Sequence, residues 1–521
     1  MFKNRADGLT LEKRLYQLII SRLDGYNIYS QDYRGRIFNL IEKGIGGFII
    51  FGGRRDEIKD FIQEIQSISE MPLFIASDIE CGVGKQIEDA TQFPCQMAMA
   101  AAIDKKNPGN IELLKDALKA IACESVDVGI NMPLIPVLDV NQNPDNPIIC
   151  TRAFSDNPED VAWFGLWYIK ELEDIGLISC AKHFPGHGDT NVDSHVSLPV
   201  ITKSLEDLMK IDLIPFTEAI KQGVSSIMVG HLSIPAIDSK PASLSKKIIT
   251  DLLRNKLGFD GLVLTDALNM NALKDFEYVS AECIKAGADI LLHPGDADKT
   301  VEELKLSVEK NMISEEEIEK AVNRILKIKD RLQNITTPLY PCPTDGRRAP
   351  LVRGELKGDK VDYQSHKVLS ANITDMSITL LKGTEGLLPI SDENGVHVVL
   401  AGEDKFFEDS PFKAIFRSVF AIHLLQAEVA RGRVVFAIFT SVSAGKGTSG
   451  MDDKEREEVC RLIKNVKNSV VISFGCPYVL RFFRDADVLI AAYETTEQAQ
   501  KAVIKCLKGE LDFKGRLPVK I

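Results

Sequence analysis

The chain has 521 residues, 45% of them hydrophobic and 26% charged, with a formal net charge of −12 at neutral pH. That apolar content is enough for two or more packed cores and excludes a disordered chain, while the acidic balance repels phosphate backbones and anionic lipid and argues against nucleic-acid or membrane partners. A small neutral substrate suits this charge better. No run of eighteen apolar residues occurs, and Met1-Phe2-Lys3-Asn4-Arg5-Ala6-Asp7 carries no apolar stretch behind its positive charges, so the expected location is cytoplasmic. The ten cysteines lie at irregular spacing without a Cys-x-x-Cys pair, the pattern of buried reduced thiols rather than of a disulfide framework or a zinc site.

In chain order, one theme repeats: a short apolar run ends on a charged residue, a histidine or a glycine and leads into a helical stretch. Residues 18–20 lead to Asp24, 47–51 to Arg54, 73–76 to Asp78 and 130–135 to Asp139. The theme returns at 177–181 before His183, 226–229 before His231, 262–264 before Asp266 and 288–292 before His293. Eight strand candidates alternating with helices over about 300 residues predict an N-terminal (β/α)8 barrel of the TIM type, whose strand ends face one mouth. A single aspartate after a strand is ordinarily a helix N-cap; capping alone does not explain eight polar endings.

Residues 335–360 change character, with four prolines and three glycines, and read as a linker between a barrel at 1–334 and a C-terminal domain at 361–521. In that domain residues 377–381, 398–401, 434–440, 470–474 and 488–493 are strand-like, and 452–466 and 495–507 are amphipathic helices. The expectation is an α/β sandwich domain with a largely parallel sheet covered on both faces. The run ending at Gly475 continues Cys-Pro-Tyr rather than GxGxxG, so nothing marks a nucleotide site.

The densest chemistry lies at 182–195, KHFPGHGDTNVDSH, where Pro185 and the glycines after it exclude a continuous helix and place the cluster where a strand ends and a loop begins. Asp193 and His195 are one residue apart, so an extended loop puts both on one side and lets the carboxylate fix the imidazole tautomer. Asp266, in VLTDALNM, is a candidate nucleophile. A carboxylate nucleophile with a proton-shuttling imidazole suits double displacement at an anomeric carbon. Two blander readings stand beside it: His195 capping a turn next to a solvated Asp193, and metal binding by His183, His187 and His195, which lacks an HExxH-like arrangement.

The 182–195 stretch resembles the pattern Lys-His-Phe/Ile-Pro-Gly-x-Gly, four residues, Asp-Ser/Thr-His of the β-N-acetylglucosaminidases in glycoside hydrolase family 3. Residues 131–154, NMPLIPVLDVNQNPDNPIICTRAF, are similar to that family's fourth strand and arginine loop, VLTDALNM to its nucleophile segment, and the stretch from ISFGCPYVL onward to its second domain. The resemblance implies that Asp266 attacks the anomeric carbon and that His195, oriented by Asp193, is the acid/base of a retaining, exo-acting enzyme. It further implies that Asp78, Arg152, Lys182, His183 and, less directly, His231 bind sugar hydroxyls, with no cofactor or metal. The family commonly continues its third strand Asp-Gln-Glu-Gly-Gly-Arg-Val with another arginine soon after; here those arginine positions are Val83 and Gln86, with Lys85 between them. The implied partner is a small N-acetylglucosaminide of chitin or cell-wall origin. Inorganic phosphate is the alternative acceptor, since a neutral imidazole does not repel it as a carboxylate would. A catalytically silent sugar-binding protein is the reading from a different class.

Overall fold

The computed structural model describes residues 6–332, 361–390, 395–424, 432–443 and 445–521; the expected linker at 335–360 lies outside them. Its first part carries eight short strands in the expected order: β1 Ile19–Asp24, β2 Gly47–Phe51, β3 Phe74–Ser77, β4 Met132–Pro133, β5 Cys180–Phe184, β6 Ser226–Val229, β7 Leu262–Thr265 and β8 Leu291–Leu292. All pair in parallel, in two arcs of order β4-β3-β2-β1-β8 and β5-β6-β7. Single parallel bridges, Val137 with Lys182 and Leu264 with Ile290, join the arcs at both seams. Strands β3, β6 and β7 are buried along their whole length, because helices cover the outer face while side chains fill the inner one.

Local sequence sets the boundaries. Ser30, Asn107 and Asn157 accept backbone N–H bonds at the starts of helices Gln31–Glu42, Pro108–Val128 and Pro158–Asp174, and the last two open on proline. The apolar runs at 130–135 and 288–292 yield only two paired residues each. Pro133 and Pro136 lack the N–H that would extend the ladder, and His293 turns left-handed (φ 46°) directly after β8.

The C-terminal part holds one six-stranded sheet: β9 Thr379–Lys382, β10 Val396–Gly402, β11 Ser418–Ala421, β12 Arg433–Thr440, β13 Ser469–Gly475 and β14 Val488–Ala491, ordered β11-β10-β12-β13-β14-β9 with only β9 antiparallel. Alternate residues divide between two cores. Val435, Phe439, Val470 and Phe474 fill one side, and Phe436, Ile438 and Val471 the other. The second core also takes in Met97, Ala98 and Cys150, so this face of the sheet packs on the first part of the chain. The helix Tyr363–Ser377 adds polar ties, Tyr363 Oη donating to Asp127 (2.8 Å) and Ser370 Oγ to the Gln92 carbonyl (2.7 Å). Among the described residues no helix is long and apolar enough to cross a membrane.

At the β7–β8 seam, the fully buried Asp289 accepts from Arg254 Nη2 and Arg324 Nε, each at 2.7 Å, and from the Val263 N–H at 2.8 Å. Replacing it by alanine takes the carboxylate from two guanidinium groups, of which Arg254 keeps, among the described residues, only the Gly261 and Gly287 carbonyls, and the acceptor from a β7 amide. Asp289→Ala should lower the unfolding free energy by about 3–5 kcal/mol; a loss under about 1 kcal/mol in urea titration would mean that the pairs only decorate the seam.

Candidate active site

The carboxyl ends of the parallel strands open into a cavity of about 610 Å³, walled by both parts of the chain. Asp78 follows β3, Lys182 and His183 lie within β5, and Asp266 follows β7, so strand pairing itself brings these side chains to one mouth.

On the β3–β5 side stands a charge network. The Lys182 side chain is 2% exposed, and its Nζ donates to Asp78 Oδ1 (2.7 Å) and Glu80 Oε1 (2.8 Å). Arg152 reaches both oxygens of Glu80, through Nε and Nη2, at 2.8 Å. Burial alone would push the Glu80 carboxyl up, but the Arg152 and Lys182 charges hold it well below the usual carboxylate range. Burial likewise works against the Lys182 ammonium, and Asp78 and Glu80 outweigh it and raise its pKa. His183 donates from Nδ1 to the fully buried Asp139 (2.7 Å), leaving Nε2 as the acceptor facing Arg152 Nη2 (3.4 Å). Asp139 also accepts the His187 N–H (2.6 Å). His187 itself sits between Thr190 (2.8 Å) and Ser194 (3.2 Å), and burial lowers its pKa to about 4, so it is neutral near pH 7.

On the β5–β7 side stand Asp266, His195 and Asp193. Asp266 accepts the Ala267 N–H at 2.7 Å. Burial pushes its carboxyl up, but His183, His231, the Ala267 amide and His195 together bring it below its usual value, so it is ionised near neutrality. His195 lines the cavity with its side chain 36% exposed. Asp193 Oδ1 accepts both the His195 N–H (2.8 Å) and the His195 Nδ1–H (2.9 Å), which turns Nε2 away from the carboxylate as the free ring position. The other oxygen, Oδ2, accepts the N–H of Gly445 from the C-terminal part (2.8 Å). Burial works against the Asp193 charge and these bonds overcome it, holding the carboxyl below its usual value.

Asp78, Arg152, Lys182, His183, His195 and Asp266 therefore meet on one wall system, with Asp193 directly behind His195. His231 is placed differently. It is fully buried, accepts from Ser243 Oγ (2.8 Å) at Nδ1, donates from Nε2 to the Ala267 carbonyl (3.2 Å), and is not among the cavity-lining residues. It underpins the Asp266–Ala267 backbone through this bond. Val83 is buried under the wall, whereas Lys85 and Gln86 line it, Gln86 Nε2 donating to the Asp78 carbonyl (3.3 Å). Sequence reasoning gave no role to Glu80, Asp139, Glu494 or the 440–443 segment. Glu80 and Asp139 had a local signal as carboxylates at strand ends. Glu494 and the 440–443 segment had none, because their place follows from how the C-terminal sheet docks.

Residues 10–328 match the model of the glycosyl hydrolase family 3 N-terminal domain. A β-hexosaminidase A of Pseudoalteromonas piscicida is 30% identical, the alignment covering 88% of this chain and 84% of that protein. A β-N-acetylglucosaminidase/β-glucosidase of Cellulomonas fimi is 27% identical over 91% of this chain and 88% of its own length. Among solved structures, a family 3 β-N-acetylglucosaminidase from Paenibacillus sp. FPU-7 superposes with a TM-score of 0.80 at 29% identity, covering 98% of this chain and 99% of that one. With a cavity of this construction, a family model matched over most of the chain and a relative aligned along nearly all of it, the protein belongs to glycoside hydrolase family 3 and is a glycosidase.

Proposed function

We propose that the enzyme is a retaining, exo-acting β-N-acetylglucosaminidase that removes terminal β-linked N-acetylglucosamine. The two arcs are read as one (β/α)8 catalytic barrel spanning residues 1–334, followed by an α/β sandwich domain at 361–521. The observation that carries the assignment is the pairing of His195 with Asp193 beside a cavity that also holds the ionised Asp266. In the first half-reaction an Asp266 oxygen bonds to the anomeric carbon while the bond to the leaving oxygen breaks, and the proton on His195 Nε2 passes to that oxygen. In the second, neutral His195 takes a proton from water, the resulting hydroxyl bonds to the same carbon, and the Asp266–carbon bond breaks; two inversions give net retention. Asp193, bonded to Nδ1, keeps the imidazole oriented through both steps.

Lys182, Arg152, Asp78 and His183 would grip the sugar hydroxyls. Because their charges are already balanced within the network, a hydroxyl there exchanges bonds with charged partners without leaving an ion uncompensated, which suits a neutral substrate.

Turnover of an aryl β-N-acetylglucosaminide, with the released sugar identified by mass in the presence and absence of inorganic phosphate, tests the reaction class. Free N-acetylglucosamine under both conditions supports hydrolysis, and a sugar 1-phosphate whose yield rises with phosphate would replace it by phosphorolysis through the same residues. Asp266→Ala should abolish turnover of every substrate; residual activity near that of the wild type would sink the covalent step. His195→Ala should lose about 10²–10⁴-fold in kcat on alkyl or sugar leaving groups and far less on dinitrophenyl glycosides, whose departure needs little protonation. Equal losses across the leaving-group series would reassign His195 to a structural role.

A further inference from the structure

Among the described residues, the C-terminal part contributes one carboxylate to the cavity lining that the roles above leave unused. Glu494 follows β14, lines the cavity, and accepts the Cys95 N–H at Oε1 (3.0 Å). Among the described residues its other oxygen has no protein hydrogen bond. The backbone that delivers it is unusual: Tyr493 is left-handed (φ 62°), a conformation that costs a bulky residue about 1–2 kcal/mol, and its ring is anchored by a bond between Tyr493 Oη and Thr379 Oγ1 (2.8 Å). Burial raises the Glu494 carboxyl to about 7, against weaker opposing effects of the Cys95 amide and Lys85, as befits a carboxylate without a bonded cation. Its neighbours place it. Cys81, Lys85 and Cys95 belong to the segment that follows Asp78 and Glu80 from β3, whereas His195 is tied to Asn271 beyond β7 through its carbonyl (3.1 Å). Glu494 thus stands beside the segment that leaves β3 with Asp78 and Glu80, whereas Asp266 follows β7, the strand opposite β3 in the cyclic order.

We propose that Glu494 is a specificity-determining residue that accepts a hydrogen bond from a hydroxyl at the non-reducing end of the bound sugar, so that the C-terminal part completes the sugar subsite. This deepens the glycosidase reading and rests on it. A hydroxyl-to-carboxylate bond made in a partly dry cavity contributes to binding of substrate and transition state alike, away from the bond that breaks.

The test uses the full-length enzyme with 3-deoxy, 4-deoxy and 6-deoxy aryl glycosides, built on whichever sugar, N-acetylglucosaminide or glucoside, the wild type cleaves. Failure of the N-acetylglucosaminide reading is thereby seen first and separately, in the choice of parent sugar. Removing the hydroxyl that Glu494 holds should cost the wild type about 10- to 100-fold in kcat/KM, mostly through KM. Glu494→Ala should lose a similar factor on the parent sugar and nothing further on that deoxy analogue. Glu494→Gln keeps an acceptor oxygen for Cys95 but turns an amide NH2 toward the sugar in place of the second oxygen; it should lose discrimination at the same hydroxyl, and it carries the comparison alone if the alanine variant does not fold. Unchanged discrimination among the deoxy substrates in either variant would overturn the proposal and leave Glu494 as an interdomain contact.

Discussion

A lysine ammonium that is almost wholly out of water governs this site. Lys182 lies within β5, and its charge is tenable there only because Asp78 and Glu80 from the end of β3 reach across to it. Glu80 in turn fixes Arg152, which lies far along the chain after β4. One buried cation thus dictates the relative positions of three strand ends, and the cavity inherits its shape from that electrostatic requirement. Loosening any member would leave a charge uncompensated in a poorly solvated place, so the network is rigid for the same reason that it is costly to assemble.

The two sides of the cavity divide the work by charge state. The β3–β5 side is internally neutralised and offers many donors and acceptors, which suits an uncharged polyhydroxyl ligand. The β5–β7 side keeps an ionised carboxylate next to an imidazole whose proton faces a second, buried carboxylate. In the proposed mechanism, a histidine acid beside a carboxylate nucleophile avoids the repulsion of two close carboxylates, in which the pKa of one must climb. His231, behind Asp266, contributes a neutral, fully bonded imidazole that stiffens the strand end.

Much of this was legible in the sequence because it is local. Buried parallel strands announce themselves as apolar runs, and residues one or two past a strand end share its direction; hence β1 to β3 and β5 to β7, and with them Asp78, Lys182, His183 and Asp266, fall close to their expected places. The shortness of β4 and β8 was not legible, since it depends on prolines and a left-handed histidine interrupting otherwise strand-like runs. The edge strand β11, Ser418–Ala421, escaped notice because four half-exposed residues carry no periodic signal. His231 occupies a corresponding strand end and is by sequence the weaker candidate of the set; the direction of its ring is set by Ser243 and Ala267. Glu494 and the Gly445 amide could not be anticipated at all, as docking of two separately patterned parts brings them to the cavity.

The hydrogen bond from the Gly445 N–H to Asp193 has a thermodynamic corollary. That bond ties Asp193, and through it the His195 ring, to the C-terminal part, so a ligand whose binding depends on how His195 is held is coupled to the docking of that part, and the coupling acts equally in both directions. Occupancy and interdomain docking are then two sides of a single linked equilibrium. The setting of the Asp193 carboxylate behind His195 thus belongs to the assembled chain, since both parts hold it.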